Sequence, residues 1–444
     1  MSNRNSELLS KLNLTRINEE NVIADSVIKV VDPRDLLNSK RFDIMAKFIY
    51  GFFLKNNIKS DWGYRLYEDH LWVFNRYDED DGSGKKGIKS FIDSYNKTFL
   101  SIKEEGFNDN LSVIPIDEDN VPLDGAHRVA ASLLFDKRIK VLTIKGLETN
   151  YNYEFFEKKG LQHKWSDAIA YEYCKLKGNV SILTMFSNVY KEKEELYRII
   201  KEYGDIYYER ELNISNIGLD NLLSQLEISD RPRKSAKGGQ TITIILIESM
   251  KVNLDELKCS IKNITEKSIH VSTSRKEVLN LAKLFFNTNS VEFFNRTNYR
   301  TYNDFEYKLK NVISKDIVSK DRYCIIDETL FSKKACNTIL LNFDQRSIEV
   351  LQEDLREKVP LKKLNKIDKL MDDIIFNPEY HFYYKGIKFA TYASIKKMKN
   401  YAFLYSLVDK FRFRGLKQVR YNLTKKIRLA RLKMVTIKNK YNLL

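Results

Sequence analysis

Cysteine is scarce in this sequence. The chain has 444 residues and only four cysteines, which are far apart along it: Cys174, Cys259, Cys324 and Cys336. None of them forms the closely spaced pair that binds zinc or catalyses thiol exchange, and their spacing does not indicate a disulfide framework. We therefore expect a protein of the reducing cytoplasm without a structural zinc ion.

Long apolar runs are also missing. No segment approaches the roughly 20 apolar residues of a membrane-spanning helix, and the first residues lack the apolar stretch of a secretory signal. Hydrophobic residues nevertheless make up 43% of the chain, which is typical of a folded protein. The length is sufficient for two or three domains with their own cores. These features predict a globular, cytoplasmic protein.

Acidic residues are outnumbered by basic ones. The chain has 60 Asp and Glu against 76 Lys and Arg, a formal net charge of +16. Such an excess indicates an acidic partner: nucleic acid, anionic lipid or a phosphorylated substrate. Much of it is concentrated in residues 412–444, which contain eleven Lys or Arg and no Asp or Glu.

The basic end of the chain, residues 411–444, predicts an amphipathic helix. Its apolar stripe consists of Leu416, Val419, Leu423, Ile427 and Ala430. Such a helix lies on an anionic membrane surface or docks on the protein through its stripe, and we rank these two interpretations equally. Contact with nucleic acid ranks third. The first interpretation predicts a peripheral protein at the inner face of the membrane.

The stretch from Val121 to Ser132 carries the main functional signal. It reads Val-Pro-Leu-Asp-Gly-Ala-His-Arg-Val-Ala-Ala-Ser. A short apolar run (111–116) and an acidic turn (117–120) precede it, and apolar residues recur at helical spacing after Arg128. The pattern predicts a strand, a turn, a tight corner at Gly125 and a helix.

Each residue of this corner suits a phosphate group. Gly125 permits a crowded or left-handed backbone, and Ala126, His127 and Arg128 fall in the first helical turn, where backbone N–H groups have no intrahelical partner. The Arg128 guanidinium matches phosphate geometry, and Asp124 is able to hold a metal ion or accept a proton from a hydroxyl. An ordinary capped helix with solvated His127 and Arg128 is the alternative.

The motif Asp124-Gly-Ala-His-Arg128 resembles the signature of the ParB/sulfiredoxin-like superfamily, in which this corner binds a nucleoside di- or triphosphate. The Asp-Gly start is most similar to the free-serine-kinase branch, whose motif is Asp-Gly-x-His-Arg. Sulfiredoxins need a cysteine immediately before the His, where this chain has Ala126. The resemblance covers roughly residues 25–145. It implies ATP or another NTP as cofactor with Mg²⁺, bound at residues 125–128, and catalytic roles for Asp124 and His127.

The segment 36–51 supplies a second group of candidates. It predicts a helix with one apolar face, and Arg41, Asp43 and Lys47 lie off that face. In the kinase branch this region carries an acidic catalytic residue, so the resemblance nominates Asp43 for catalysis and Arg41 and Lys47 as phosphate or substrate contacts. A solvated helix face with an Asp43–Lys47 ion pair is equally favoured.

An aromatic-rich segment, residues 62–72, offers two secondary candidates. Glu68 and His70 lie in it, and aromatic loops often line substrate pockets. A lone histidine among aromatic residues is, however, more often a core or surface residue than a ligand.

The rest of the chain predicts an α+β protein with further domains. Residues 1–150 form the nucleotide-binding domain, and residues 151–235 form a helical extension that ends in a polar joint. A β-branched strand at 241–247 and a strand at 290–294 belong to a second α/β domain at 236–410.

Near the end of this second domain, residues 386–389 read Gly-Ile-Lys-Phe and precede a segment that carries Met398-Lys399. This piece is similar to the end of nucleotidyltransferase-like domains. An active enzyme of that kind needs a Gly-Ser corner and an Asp-x-Asp pair for metal ions. Here residues 333–335 read Lys-Lys-Ala, and Asn342 and Asp344 stand where the pair is expected. The resemblance therefore implies a degenerate domain, and an unrelated α/β domain is equally favoured.

The combined pattern favours an NTP-dependent phosphotransferase that acts on a hydroxyl of a glycan or small molecule. The domain combination resembles proteins of bacterial surface-polysaccharide biosynthesis. Two alternatives remain open: a ParB-like nucleotide-gated DNA-binding protein, which needs a helix-turn-helix after the nucleotide domain, and an inactive nucleotide-binding scaffold.

Overall fold

The structure is a computed structural model that describes residues 7, 9–12, 17–22, 27–79, 84–110, 112–186, 193–226, 238–249, 254–264, 269–296, 321–326, 338–351, 356–360 and 367–399. These residues form a mixed α+β protein, as expected, with thirteen α-helices and three sheets. None of the described helices is long and apolar enough to cross a membrane. The predicted basic helix at 411–444 lies outside the described residues.

The helices and strands follow one another in a mixed order along the chain. The helices are α1 (Asp43–Lys55), α2 (Trp62–Asn75), α3 (Gly87–Glu105), α4 (Ala126–Phe135), α5 (Tyr153–Lys158), α6 (His163–Leu176), α7 (Lys193–Tyr203), α8 (Asn216–Leu226), α9 (Leu254–Ile264), α10 (Arg275–Phe285), α11 (Thr288–Arg296), α12 (Ile367–Phe376) and α13 (Tyr392–Lys399). The strands are β1 (Lys29–Val31), β2 (Ile114–Ile116), β3 (Ile139–Thr143), β4 (Val180–Phe186), β5 (Gly204–Ser215), β6 (Gly239–Ser249), β7 (Ile269–Val271), β8 (Tyr323–Ile325), β9 (Thr338–Asn342), β10 (Ser347–Leu351), β11 (Arg356–Pro360), β12 (His381–Tyr384) and β13 (Ile387–Ala390).

The chain divides into two compact units. Residues 1–301 and 376–387 form the first, and residues 302–375 and 388–444 form the second. The predicted domain boundaries at 150, 235 and 410 stay predictions.

The first sheet of the first unit has the strand order β1-β3-β2. β3 pairs antiparallel with β1 and parallel with β2. All three residues of β2 are buried, and the helices α1 and α3 pack against α4, which follows β2. This small sheet and its helices therefore position the start of α4.

The second sheet contains strands from both sides of residue 235. Its order is β5-β6-β4-β7, and β6 pairs antiparallel with both β4 and β5. The sequence predicts helices at 153–159, 166–177 and 192–203, which the structure has as α5, α6 and α7, and an exposed joint at 229–239. The strands β4 and β5, however, are not predicted. Their apolar residues are buried against the central strand β6, and this burial stabilises the extended backbone.

Residues 290–294 lie in helix α11 rather than in the predicted strand. Asn287 precedes the helix, and its Oδ1 accepts a hydrogen bond from the Ser290 backbone N–H at 2.9 Å. The apolar residues Val291 and Phe294 are three positions apart, so a helix buries both on one side.

In the sheet of the second unit, β11, β10, β9 and β8 follow one another in antiparallel pairs. β8 also pairs parallel with β13. Asn342 ends β9, and its Nδ2 donates to Glu349 at 2.9 Å, while Asp344 forms an ion pair with Arg322 at 2.9 Å. Residues 333–335 lie outside the described part of the chain, so the nucleotidyltransferase-like interpretation stays a prediction.

Candidate functional site

The segment from Asp124 to Arg128, here called the corner, joins β2 to α4. The turn before it is held by the Asp117 carboxylate, which accepts hydrogen bonds from the backbone N–H groups of Asp119 and Val121 at 2.9 and 2.8 Å. The Leu123 N–H then donates to the Pro115 carbonyl at 2.9 Å. These bonds return the chain alongside β2 and fix where the helix begins.

Gly125 adopts a conformation that disfavours other residues. Its φ is +82°, and a Cβ at this position would lie 2.4 Å from Ile114 Cδ1 and 2.9 Å from Arg128 Nη2. A side chain here would therefore be strained by the backbone and would also collide with buried neighbours.

The first turn of α4 is uncapped. The helix begins at Ala126, and no described side chain caps its N-terminus. The amides of the first turn carry the positive end of the helix dipole and have no acceptor within the helix. This end of the helix is suited to an anion.

Arg128 was predicted as a phosphate ligand, but its guanidinium is engaged within the protein. It donates to Ser112 Oγ and lies 3.3 Å from an Asp124 carboxylate oxygen. Burial lowers the pKa of Arg128, and Asp124 opposes that shift. Arg128 therefore links the corner to Ser112, which precedes β2. The side chain of Asp124 is partly accessible, with 34% of it exposed.

Arg41, Asp43 and Lys47 form a buried triad at the start of α1. Arg41 makes two parallel hydrogen bonds to the Asp43 carboxylate, from Nε at 2.8 Å and Nη2 at 2.9 Å, and Lys47 Nζ donates to the same carboxylate at 2.8 Å. All three side chains are less than 10% exposed. The predicted ion pair of Asp43 and Lys47 is thus present, but it is buried rather than on a solvated helix face.

The charges of the triad do not cancel. Burial opposes ionisation of Asp43, yet Arg41 and Lys47 outweigh burial and hold the pKa of its carboxyl well below the ordinary value. Burial lowers the pKa of Lys47, although Asp43 opposes this. With all three groups ionised the triad carries one net positive charge. Because both oxygens of Asp43 are occupied and its pKa is low, this geometry favours a positioning role over the predicted catalytic one.

The triad lies beside the corner. Arg41 Nη1 donates to the carbonyl of Pro122, two residues before Asp124. Burial lowers the pKa of Arg41, whereas Asp43 raises it. The negative charge of Asp124 raises it as well. Burial lowers the pKa of His127 well below its ordinary value, and Lys47 and Lys85 lower it further. The structure thus brings together all the predicted site residues of the corner and of α1.

His127 contacts a cluster of tyrosines that sequence reasoning missed. Its Nε2 lies 2.8 Å from the hydroxyl of Tyr67, and its ring meets the Tyr95 ring edge-on at 5.2 Å. Tyr50 stacks on Tyr67 at 5.0 Å. These tyrosines come from α1, α2 and α3, and no local motif signals that they meet. Lys85, whose charge also lowers the pKa of His127, lies just before α3.

The two secondary candidates differ in their surroundings. His70 is fully buried, and its ring packs on Phe156 at 4.7 Å and Phe74 at 6.0 Å. Burial lowers the pKa of His70, and the charges of Lys47, Asp43 and Arg41 also act on it, so His70 is a core residue beside the triad. Glu68 accepts a long hydrogen bond of 3.4 Å from Tyr64 on the surface of α2.

The donor set at the corner limits how a metal ion could bind. The described residues contain no group of three or more His, Cys, Asp or Glu side chains arranged to hold a metal. Asp43 is occupied by two cations, so Asp124 is the carboxylate of the corner that could contact Mg²⁺. The donors therefore fit a Mg²⁺ ion held mainly by nucleotide phosphates rather than by a protein cage.

Comparison of the chain with protein families, characterised proteins and solved structures gives no match. The residues and their geometry therefore carry the functional argument.

Proposed function

We propose that this protein is an NTP-dependent phosphotransferase that moves a phosphoryl group from ATP or another NTP to a hydroxyl of a glycan or small molecule. The observation that carries the proposal is a buried triad of two basic side chains and one carboxylate, which has one net positive charge when all three are ionised, beside a helix start that no described side chain caps. A buried net charge is costly unless something of opposite sign accompanies it, and a nucleotide phosphate has that sign.

Each part of the site has a role in this proposal. The amides of residues 126–128 and the charge of the triad hold the phosphates. Asp43 fixes the directions of Arg41 and Lys47. Asp124, whose side chain is partly exposed, orients the acceptor hydroxyl and receives its proton. Mg²⁺, when bound to the nucleotide, neutralises part of the phosphate charge.

The proposed reaction balances without another reactant. The acceptor oxygen forms a bond to the γ-phosphorus, the bond from that phosphorus to the β–γ bridging oxygen breaks, and the nucleoside diphosphate leaves. The acceptor proton passes to Asp124. Phosphoryl transfer depends mainly on positioning and on stabilisation of charge, so a site with few chemically active side chains is sufficient.

The resemblance of the corner motif to the free-serine-kinase branch supports the same class of reaction, and the combination of predicted domains makes a surface-polysaccharide glycan the favoured acceptor. The ParB-like DNA-binding alternative stays a prediction: the segment after residue 150 contains α5 and α6 before β4. The proposed contact of the basic tail with an anionic membrane concerns residues outside the described part of the chain.

The test is incubation with ATP labelled on the γ-phosphate and a panel of sugars, glycans and free amino acids. We expect label transfer by the wild type and a loss of at least roughly a hundredfold in Asp124→Asn, since a positioned acid–base group contributes about 10²–10⁴ in rate. Asp119→Asn is the matched control, because Asp119 is an exposed carboxylate of the preceding turn that pairs with Lys40. Equal transfer by the two variants, or no ATP binding by the wild type, contradicts the proposal.

A further inference from the structure

The hydrogen bond between Tyr67 and His127 determines which nitrogen of His127 carries the proton. The Tyr67 hydroxyl is fully buried, and His127 Nε2 at 2.8 Å is its only partner within the described residues. A buried O–H group without an acceptor is costly, so the hydroxyl must donate its hydrogen. Nε2 is therefore the acceptor of this bond.

A neutral imidazole has one donor nitrogen and one acceptor nitrogen. Burial and the nearby lysines lower the pKa of His127, so the ring is neutral, and burial raises the pKa of Tyr67, so the phenol keeps its hydrogen. Because Nε2 accepts, Nδ1 must carry the ring hydrogen. Nδ1 has no partner in the described part of the chain.

We propose that Tyr67 is a positioning residue that fixes His127 as the Nδ1–H tautomer, and that this N–H donates a hydrogen bond to the phosphate bound at the start of α4. His127 is thus an anion-binding donor, not a proton acceptor. The second half of this inference rests on the proposed nucleotide site, whereas the tautomer itself does not.

Tyr95 provides a matched control for Tyr67. Its ring also contacts His127, at 5.2 Å, and it is also fully buried. Its hydroxyl, however, has no hydrogen-bond partner in the described residues. Tyr67→Phe and Tyr95→Phe therefore remove the same atom from the same aromatic cluster, but only the first removes a bond to His127.

The test is ¹⁵N NMR of the full chain with labelled histidine, in which His127→Asn identifies the signals of His127 among the five histidines. We expect Nδ1 to be protonated in the wild type and in Tyr95→Phe, and a shift of the hydrogen toward Nε2 in Tyr67→Phe. A wild-type ring protonated at Nε2 overturns the inference.

Binding of ATP then tests the role of the tautomer. We expect about tenfold weaker binding in Tyr67→Phe, because a hydrogen bond to a charged group is lost, and little change in Tyr95→Phe. Equal affinity of the two variants refutes the donor role. If the wild type has the predicted tautomer but binds no ATP, the role of Tyr67 in fixing the ring stands. The donor role and the phosphotransferase proposal are then both refuted.

Discussion

Replacing Lys47 with methionine should separate the folding role of the buried triad from its binding role. Asp43 would keep both hydrogen bonds from Arg41, at 2.8 and 2.9 Å, and would remain neutralised. Methionine is unbranched and fills the space of the Lys47 side chain, which is only 7% exposed. Since burial disfavours the ammonium, we expect the free energy of unfolding to stay within about 1 kcal/mol of the wild type.

Asp43→Asn should behave very differently. It leaves Arg41 and Lys47 buried without a counter-charge, whereas Lys47→Met leaves a balanced pair. Breaking a buried ion pair by removing one partner costs about 3–5 kcal/mol. We therefore expect Asp43→Asn to lose most of that amount in unfolding free energy.

The effect of Lys47→Met on ATP binding follows from the charge removed. A unit charge roughly 8 Å from a phosphate charge contributes about 2 kcal/mol at an effective dielectric constant of about 20. This corresponds to roughly thirtyfold in the dissociation constant. The variant should thus fold like the wild type but bind ATP much more weakly.

Urea unfolding followed by circular dichroism and calorimetric titration with ATP measure the two effects. Lys158→Met is the control for charge alone, because Lys158 is 77% exposed and pairs with Glu154 on the surface of α5. The reasoning is refuted if Lys47→Met binds ATP as tightly as Lys158→Met. It is also refuted if Lys47→Met destabilises the protein as much as Asp43→Asn.

Two further predictions concern the corner and the second sheet. Gly125→Ala should lose about 2 kcal/mol or more in unfolding free energy, because the added Cβ would collide with Ile114. Gly146 also has a positive φ, but its nearest neighbouring atom would lie 4.0 Å from an added Cβ, so Gly146→Ala should lose less. Equal losses of the two variants in urea unfolding would contradict the role of the Ile114 contact. Burial raises the pKa of Asp167 to about 7, although Arg210 pairs with it. The folded state therefore binds a proton at Asp167 more tightly than the unfolded state does. This stabilises the folded protein below the unfolded pKa of 3.8, and the stabilisation is lost as the pH rises through 7. The stability of the wild type relative to Asp167→Asn should accordingly fall between pH 4 and pH 8, and a flat difference in denaturation series across that range would contradict it.

The strand, turn and helix around Gly125 were predictable because their signals are local. A short apolar run, an acidic turn and a glycine before a helical repeat all lie within about 25 residues, and the structure has β2, the turn and α4 in that order. The mixed α+β class follows from the same kind of pattern.

The environment of the triad was not predictable, because it depends on residues distant in sequence. Asp43 and Lys47 are charged and one helical turn apart, which is typical of a solvated face. Their burial comes from segments such as Tyr151, whose ring lies 5.8 Å from Arg41, and Phe74, whose ring lies 5.9 Å from Lys47. The contact of Tyr67 with His127 spans sixty positions and was missed for the same reason.

The strands β4 and β5 were missed for a related reason. β4 is mostly apolar and buried along its whole length, and periodicity alone does not distinguish such a segment from a buried helix. β5 mixes charged residues with Tyr208, Leu212 and Ile214, which are buried. Both strands pair with β6, and β4 also pairs with β7. This pairing joins segments that the sequence assigns to different domains.

The central position of β6 bears on how the protein can be shortened. A chain ended at residue 235 would retain β4 and β5 but lose β6, the strand between them. The backbone N–H and C=O groups of β4 and β5 that pair with β6 would then have no hydrogen-bond partner. Exposed edges of this kind recruit strands from other molecules and promote aggregation. A soluble N-terminal fragment should therefore extend past residue 249, and insolubility of a shorter fragment would carry no information about the nucleotide site.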